Sequence, residues 1–252
     1  MSIKFRDAMK FFGGASAALF ALGVSQLPAV AADSENDDIA RPIVVELFLS
    51  QACIRCPKAA ALLPRTAARD DVIALSWHVD YWNMTNTENG TWVDPFSKPE
   101  FTARQKLYNA NIRHRSSIYT PQIVVNGQME TVGAKADKID ALLEKTEKDV
   151  PSITATIDGD MLTFNIGKSD EGGNAYLVTF DRHTSTAITS GGNAGLTFDG
   201  YNVVTDMKPL GVVRRRGGTL RVEKTWTQNE GCALIVQSPK QGAIVTAAYC
   251  PA

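Results

Sequence analysis

Two cysteines three positions apart are the residues best suited to do chemistry in this sequence. Cys53 and Cys56 lie in the segment FLSQACIRCPKAAALLP, residues 48–64, where an apolar run leads into a helical pattern. Such a pair can form a redox disulfide, bind a metal ion or hold a permanent structural disulfide. The cellular compartment, the surrounding fold and the downstream step Thr120-Pro121 distinguish these alternatives.

The N-terminus has the pattern of a secretory signal peptide. Three basic residues precede an apolar run, residues 11–24, and the small-residue sequence PAVAA follows at residues 28–32. The apolar run is shorter than the roughly 20 residues that span a bilayer as a helix. We therefore expect a signal peptide over residues 1–32, a polar leader over residues 33–40, and a periplasmic or secreted protein without stable membrane insertion. A retained anchor is the alternative.

Composition describes an ordinary globular protein. Hydrophobic residues make up 44% of the 252 positions, and the formal net charge is -1. This balance gives no electrostatic reason to expect nucleic acid as a partner. The four cysteines of an exported protein favour disulfide chemistry over zinc.

The elements that position Cys53 and Cys56 alternate between strand and helix up to about residue 150. Residues 42–49 and 72–79 have the composition of buried strands. Helices are predicted over residues 53–68, 99–111 and 134–148, and a hairpin over residues 122–125 and 129–132.

Four segments carry a resemblance to a known family. VVELFLSQACIRCP, HVDYW, DPFSKPEFTARQ and YTPQIVVNG together resemble a family of secreted bacterial thioredoxin-like proteins classed as a domain of unknown function, over residues 41–150. The resemblance implies a Cys-x-x-Cys pair at the start of the first helix and a cis-proline facing it. Cys53, Cys56 and Pro121 occupy those positions. The resemblance names no substrate.

The sequence changes character near residue 150. Short alternating apolar runs separated by glycine-containing turns predict a sandwich-like, all-β domain over residues 151–252. Residues 183–200, rich in Gly, Thr, Ser and Asn, are predicted to form a long loop that could lie over the crevice of the first domain. The predicted fold is therefore an α/β thioredoxin-like domain, residues 41–150, followed by this all-β domain.

Cys232 and Cys250 are predicted to form a structural disulfide. They flank two apolar-rich runs joined by a turn-forming loop, residues 238–242. A hairpin with a tight turn there places Cys232 opposite Tyr249, and a one-residue bulge or a longer loop would bring the two cysteines directly opposite each other. Two independent buried thiols are the alternative.

The chemistry expected of the first pair is thiol–disulfide exchange. Unpaired N–H groups and the backbone dipole at a helix N-terminus favour a thiolate, which is the attacking species. We expect Cys53 to be the exposed nucleophile and Cys56 the resolving thiol, with Arg55 adding positive charge. The expected partners are substrate proteins bound through mixed disulfides, and no cofactor is expected. A permanent structural disulfide, or a pair of cysteines with no role in the chemistry, is the alternative for this pair.

Further residues are predicted to line the site. Glu46, a single charge in an apolar strand, is a candidate proton acceptor with a raised pKa, and a carboxylate hydrogen-bonded to the adjacent loop is the alternative. The end of the second strand and the residue before the proline supply the other candidates, namely His78, Asp80, Tyr81, Trp82 and Thr120. A structural histidine and an aromatic packing ledge are the alternatives for these residues.

The sequence leaves two other functions open, copper binding and non-catalytic binding. Cys53, Cys56 and His78 resemble the copper sites of some thioredoxin-like assembly factors, and soft thiolates with imidazole suit copper. Those factors normally separate the cysteines by three residues, whereas two residues separate them here. The second alternative is a non-catalytic envelope binding module that does not use its redox site.

Overall fold

A large mixed sheet dominates the structure, a computed structural model that describes residues 42–146 and 151–251. The predicted signal peptide and leader lie outside the described residues, as does the end of the helix predicted over residues 134–148. Within the described ranges, no helix has the length and apolar character needed to cross a membrane.

Strands outnumber helices along the described residues. The α-helices of these ranges are α1 (Cys56–Ala67), α2 (Pro99–Tyr108) and α3 (Ala136–Lys145). A π-helical turn, Asn109–Arg113, extends α2, and a 3-10 turn covers Pro239–Gln241. The strands are β1 (Ile43–Leu49), β2 (Val72–His78), β3 (Asn86–Thr87), β4 (Gly90–Thr91), β5 (Gln122–Val125), β6 (Met129–Val132), β7 (Ile153–Asp158), β8 (Met161–Ile166), β9 (Gly173–Ala187), β10 (Thr197–Val213), β11 (Gly218–Glu223), β12 (Glu230–Gln237) and β13 (Ile244–Tyr249).

The main sheet contains eight strands in the order β13-β12-β9-β10-β2-β1-β5-β6. β1 and β2 run parallel, from the pair Ile43 and Val72 to the pair Leu49 and His78. Every residue of both strands is buried. Because both faces of this part of the sheet are covered, the two strands are almost continuously apolar rather than alternating.

The predicted fold class is wrong. β10, from the second half of the chain, runs parallel to β2 from the first half, with Val203 paired to Ser76. The Ser76 hydroxyl also donates to the carbonyl of Tyr201 at 3.0 Å, and the side-chain amide of Asn202 donates to the carbonyl of Ala74 at 2.8 Å. One mixed sheet therefore replaces the predicted α/β thioredoxin-like domain and separate all-β domain. The pairing joins positions more than a hundred residues apart, which no local pattern specifies.

Half of the long loop predicted over residues 183–200 is strand. β9 and β10 pair antiparallel from Gly173 opposite Val213 to Ala187 opposite Thr197. Only residues 188–196 remain as their connection. Pairing along the full length of the two strands overrides the low strand propensity of Asp199 and Gly200.

The two faces of β1 contact different helices. Val45, Leu47 and Leu49 pack in a cluster with residues of α1, whereas Val44 and Phe48 pack in a cluster with residues of α2. Successive side chains of a strand point to opposite faces. Odd-numbered residues of β1 therefore point to the side of α1 and the cysteines, and even-numbered residues point to the side of α2.

Candidate functional site

Cys53 and Cys56 are free thiols that follow the end of β1. Cys56 is the first residue of α1, and Cys53 lies in the preceding turn, where its N–H donates to the carbonyl of Ser50 at 3.1 Å. The predicted helix therefore begins three residues too early. Cys53 is only 1% exposed and Cys56 is fully buried, so the prediction of an exposed nucleophile is wrong.

The two thiols differ in acidity. A hydrogen bond from the Cys56 thiol lowers the pKa of Cys53, and contacts with Thr120 and with backbone N–H groups of Arg55 and Cys56 lower it further. Burial opposes this shift, and the resulting pKa is about 6, against an ordinary value of 9.0. Burial raises the pKa of Cys56 well above 9.0, and its hydrogen bond to Cys53 adds to the increase. Near neutral pH the first thiol is thus the thiolate and the second keeps its proton.

The segment around Pro121 lies against the thiols. The Thr120-Pro121 peptide bond is cis, and the Cys53 thiol donates to the carbonyl of Thr120 with a sulfur–oxygen distance of 3.9 Å. Gly133 N–H donates to the carbonyl of Pro121 at 2.9 Å. This arrangement brings together three of the predicted site residues, Cys53, Thr120 and Pro121.

Residues 80–82 divide between the site and the scaffold. The indole N–H of Trp82 donates to the hydroxyl of Thr120 at 2.7 Å, which fixes the residue whose carbonyl faces Cys53. Tyr81 lies beside Trp82, and burial raises its pKa to about 12. Asp80 instead accepts the hydroxyl of Thr102 at 2.5 Å and is thereby tied to α2. Trp82 and Thr120 therefore belong to the site, while Asp80 anchors a helix.

His78 reaches the cysteine turn through two residues that the sequence did not single out. Its Nδ1 lies 2.7 Å from Oδ2 of Asp94, and the same oxygen accepts the N–H of Gln51 at 2.7 Å. The Gln51 side chain contacts Trp92 and Thr186, at 3.1 Å each. Asp94 lies in the segment DPFSKPEFTARQ that carries the family resemblance, but nothing in that motif indicates that its carboxylate holds the cysteine turn.

The connection between β9 and β10, residues 188–196, lies directly on the cysteine turn. The buried side-chain amide of Asn193 donates to the carbonyls of Gln51 at 2.7 Å and Cys53 at 3.1 Å. Ile188 belongs to the same buried cluster as both cysteines. The sequence predicted a loop that could cover this region, but it did not indicate Asn193.

A profile of the family described as "Protein of unknown function (DUF1223)" matches residues 44–237. The chain belongs to this family. The crystal structure of protein AGR_C_4864 from Agrobacterium tumefaciens is 27% identical, with a TM-score of 0.71 over 84% of this chain and 94% of that chain. HBP35 of Porphyromonas gingivalis shares the fold at 12% identity, with a TM-score of 0.58 over 84% of this chain and 75% of that chain. No curated protein matches.

Glu46 does not lie beside the thiols of this DUF1223 chain. It occupies an even position of β1 and therefore faces α2, where its two carboxylate oxygens accept hydrogen bonds from Arg104 at 2.6 and 3.0 Å. The hydroxyl of Tyr108 donates to the same carboxylate. The position of Glu46 on this face, opposite α1 and the cysteines, argues against its predicted role as proton acceptor for the cysteine pair. Its alternative assignment to the adjacent loop is also wrong, because the partners lie on α2.

The metal-binding alternative finds no assembled ligand set. In the part of the chain that the structure describes, no three His, Cys, Asp or Glu side chains are grouped so that they could hold a metal ion. His78 is turned toward Asp94 instead.

Arg55, which was predicted to add positive charge near Cys53, is the N-cap residue of α1 and is exposed.

Cys232 and Cys250 form a disulfide, with their Cα atoms 5.3 Å apart. β12 and β13 pair with Ala233 opposite Tyr249, one residue away from the simple hairpin register. A register shift between Val236 and Gln237 supplies the one-residue bulge, which was one of the two predicted ways to bring the cysteines opposite each other.

Proposed function

We propose that this DUF1223 protein is an exported thiol–disulfide oxidoreductase that acts on proteins. The observation that carries the proposal is the contrast between the two thiols, because the pKa of Cys53 is lowered to about 6 and that of Cys56 is raised. A structural pair needs no such difference, whereas exchange requires one attacking thiolate and one protonated thiol held in reserve. The basic and apolar N-terminal pattern supports a periplasmic or secreted location.

The proposed reaction begins when the Cys53 thiolate attacks a disulfide of the substrate. A bond forms between Cys53 and one substrate sulfur, and the other substrate sulfur leaves as a thiolate. Cys56 then loses its proton and attacks Cys53, which releases the second substrate sulfur. The substrate gains two electrons, the Cys56 proton and one proton from solvent, and the protein is left with a Cys53–Cys56 disulfide. The same steps in reverse would oxidise a dithiol substrate.

The surroundings of the pair support this order of attack. The Cys53 sulfur lies 3.9 Å from the carbonyl oxygen of Thr120, and Trp82 holds Thr120 through its hydroxyl. Cys56 lies deeper, in the first turn of α1, and is fully buried. The outer sulfur is therefore the one that a substrate would meet first.

A trapping experiment tests the proposal. The Cys56→Ser variant is mixed with a peptide that contains a single disulfide, and we expect a stable mixed disulfide with Cys53. The wild type should release the reduced peptide, and Cys53→Ser should do neither. If the Cys56→Ser variant forms no adduct and the wild type reduces no peptide, the oxidoreductase proposal is wrong and the binding-module alternative gains support.

A further inference from the structure

The nucleophile of the proposed site is almost completely covered, although it must meet a second sulfur. Cys53 is 1% exposed, whereas the next residue, Ile54, is 66% exposed. The turn therefore reaches the surface at Ile54, whereas Cys53 does not. Some element must move before a substrate sulfur can come within bonding distance of Cys53.

The β9–β10 connection is the element that lies on this turn. Both N–H groups of the Asn193 amide are used there, one on the carbonyl of Gln51 at 2.7 Å and one on the carbonyl of Cys53 at 3.1 Å. Gly192 approaches so closely that a Cβ atom at this position would lie 2.6 Å from Cγ2 of Ile54. The fit leaves no space for a side chain at position 192 unless Ile54 moves.

The connection also makes hydrogen bonds to the segment that contains β3 and β4, and Gly191 packs closely against Trp92. The Ser190 hydroxyl donates to the carbonyl of Thr91 at 2.7 Å, and the Gly191 N–H donates to the carbonyl of Asn89 at 3.0 Å. Single hydrogen bonds each contribute modestly to stability, so a segment held by a few of them can open without unfolding the sheet.

The base of the connection is closed and its ends are suited to bending. Ile188 and Leu196 are joined by a backbone hydrogen bond of 2.9 Å, so the segment can move as a unit on a fixed base. Gly191 and Gly195 have φ angles of +76° and +86°, which L side chains rarely adopt. These two glycines bracket Asn193 and permit the sharp turns on either side of it.

We infer that residues 189–195 form a cover that opens to admit the substrate sulfur to Cys53, and that Asn193 is the latch that holds it shut. The inference rests on the proposed function for its purpose, but access to Cys53 can be measured whether or not the protein exchanges disulfides. The amide of Asn193 binds the cysteine turn itself, so the latch and the reactive residue are in direct contact.

The test measures alkylation of Cys53 by iodoacetamide in the Asn193→Asp variant. Aspartate has nearly the same shape as asparagine, but its carboxylate cannot donate and would face two carbonyl oxygens. We expect Cys53 to react about tenfold faster than in the wild type, which corresponds to about 1.4 kcal/mol in favour of the open state. Measuring at pH 8 or above keeps Cys53 ionised in both proteins, so that the rate reports access rather than acidity.

Asn111→Asp is the matched control. The Asn111 amide also donates to two backbone carbonyls, those of Lys240 at 2.9 Å and Gln241 at 3.0 Å, but it lies away from the thiols. We expect no change in Cys53 alkylation in this variant. A faster reaction of Cys53 in both variants would show that general destabilisation is responsible and would overturn the inference.

Cys56 provides an internal reference for the same experiment. It lies deeper than Cys53, within α1, so opening of the cover alone should leave its alkylation slow. An unchanged Cys53 rate in Asn193→Asp, or equal acceleration of both thiols, would contradict the latch. If Cys53 reacts tenfold faster in Asn193→Asp but the peptide-trapping experiment fails, the cover is supported and the oxidoreductase proposal is rejected.

Discussion

His78 Nδ1 lies 2.7 Å from the carboxylate of Asp94, and both side chains are buried. The same carboxylate oxygen accepts the N–H of Gln51 at 2.7 Å, and the other oxygen accepts the N–H of Phe96 at 3.1 Å. One buried carboxylate therefore connects the end of β2 to the turn that carries Cys53. We regard Asp94 as a positioning residue, because it contacts neither thiol.

Replacing Asp94 with Asn should destabilise the protein and loosen the cysteine turn. The asparagine amide keeps one acceptor oxygen, so at least one of the three hydrogen bonds faces an NH2 group instead. We expect the free energy of unfolding in urea to fall by about 2–3 kcal/mol and Cys53 alkylation to become faster. Asp140→Asn is the control. Asp140 forms an exposed ion pair with Arg65 at 2.8 Å, so its replacement should lower the free energy of unfolding by less than about 1 kcal/mol. Equal losses in the two variants would contradict the positioning role.

The acidity of the two thiols predicts separate pH profiles. As pH rises through the pKa of Cys53, the thiolate fraction and the alkylation rate should rise together, with a midpoint near pH 6. Above about pH 7 the Cys53 rate should level off, whereas Cys56 should stay slow beyond pH 9. Peptide mass analysis of partially alkylated protein separates the two rates.

A pair of variants identifies the cause of the lowered pKa. The hydrogen bond from Cys56 is its largest contributor, so Cys56→Ala should move the Cys53 midpoint upward. Cys56→Ser retains a hydroxyl donor and should move it less. Wild-type midpoints near 8.5 for both thiols would show that the contrast between them does not exist.

Glu46 provides a test of the two faces of β1. Glu46→Gln leaves the buried Arg104 guanidinium without its charged partner, so we expect a loss of about 3–5 kcal/mol in the free energy of unfolding. The Cys53 alkylation midpoint should not move, because the carboxylate lies on the side of α2. Glu100→Gln, at an exposed position of α2, is the control for loss of a charge. A changed Cys53 midpoint in folded Glu46→Gln would restore the proton-acceptor hypothesis.

Local patterns were sufficient to predict several elements. The strands predicted over residues 42–49 and 72–79 correspond to β1 and β2, and the hairpin over residues 122–125 and 129–132 is confirmed with the same bounds. The strong apolar composition of the strands and the Asn126-Gly127 turn fix these elements locally. The same patterns carried no information on which strand would pair with the open edge of β2.

The residues missed at the site share a physical cause. Gln51, Asp94 and Asn193 are polar residues of turns and connections, where such side chains are usually solvated. Here all three are buried, and Asn193 lies in the connection that β9 and β10 carry onto the cysteine turn. The contact of Asn193 with this turn depends on long-range strand pairing, so it could not be predicted before the fold was known.

Gly133 should be sensitive to a single added methyl group. A Cβ atom there would lie 2.9 Å from Leu47 Cδ1 and 3.2 Å from Pro121 Cβ. We expect Gly133→Ala to push Pro121 away from its position, to lower stability by about 1–3 kcal/mol and to slow peptide disulfide exchange. Gly218→Ala is the matched control, because no heavy atom of the described residues lies within 4 Å of the added Cβ. Unaltered exchange in a folded Gly133→Ala protein would show that the position of Pro121 is unimportant for the reaction.

The Cys232–Cys250 disulfide should respond to reduction differently from the Cys53–Cys56 pair. It joins β12 to the C-terminal strand β13 across a sequence separation of 18 residues, for which the chain-entropy model gives a stabilisation of about 3 kcal/mol. Cys232 is 2% exposed, so a reductant has little access to the disulfide. The free thiols that could attack it, Cys53 and Cys56, lie at the start of α1. When Cys53 and Cys56 have been oxidised to a disulfide, we expect mild reduction to break that disulfide and to leave the Cys232–Cys250 disulfide intact. The double variant Cys232→Ala/Cys250→Ala should lose about 3 kcal/mol in the free energy of unfolding but keep the pH profile of Cys53 alkylation. Recovery of a Cys232 peptide as a free thiol from non-reduced protein, or linked to Cys53, would contradict a purely structural bridge.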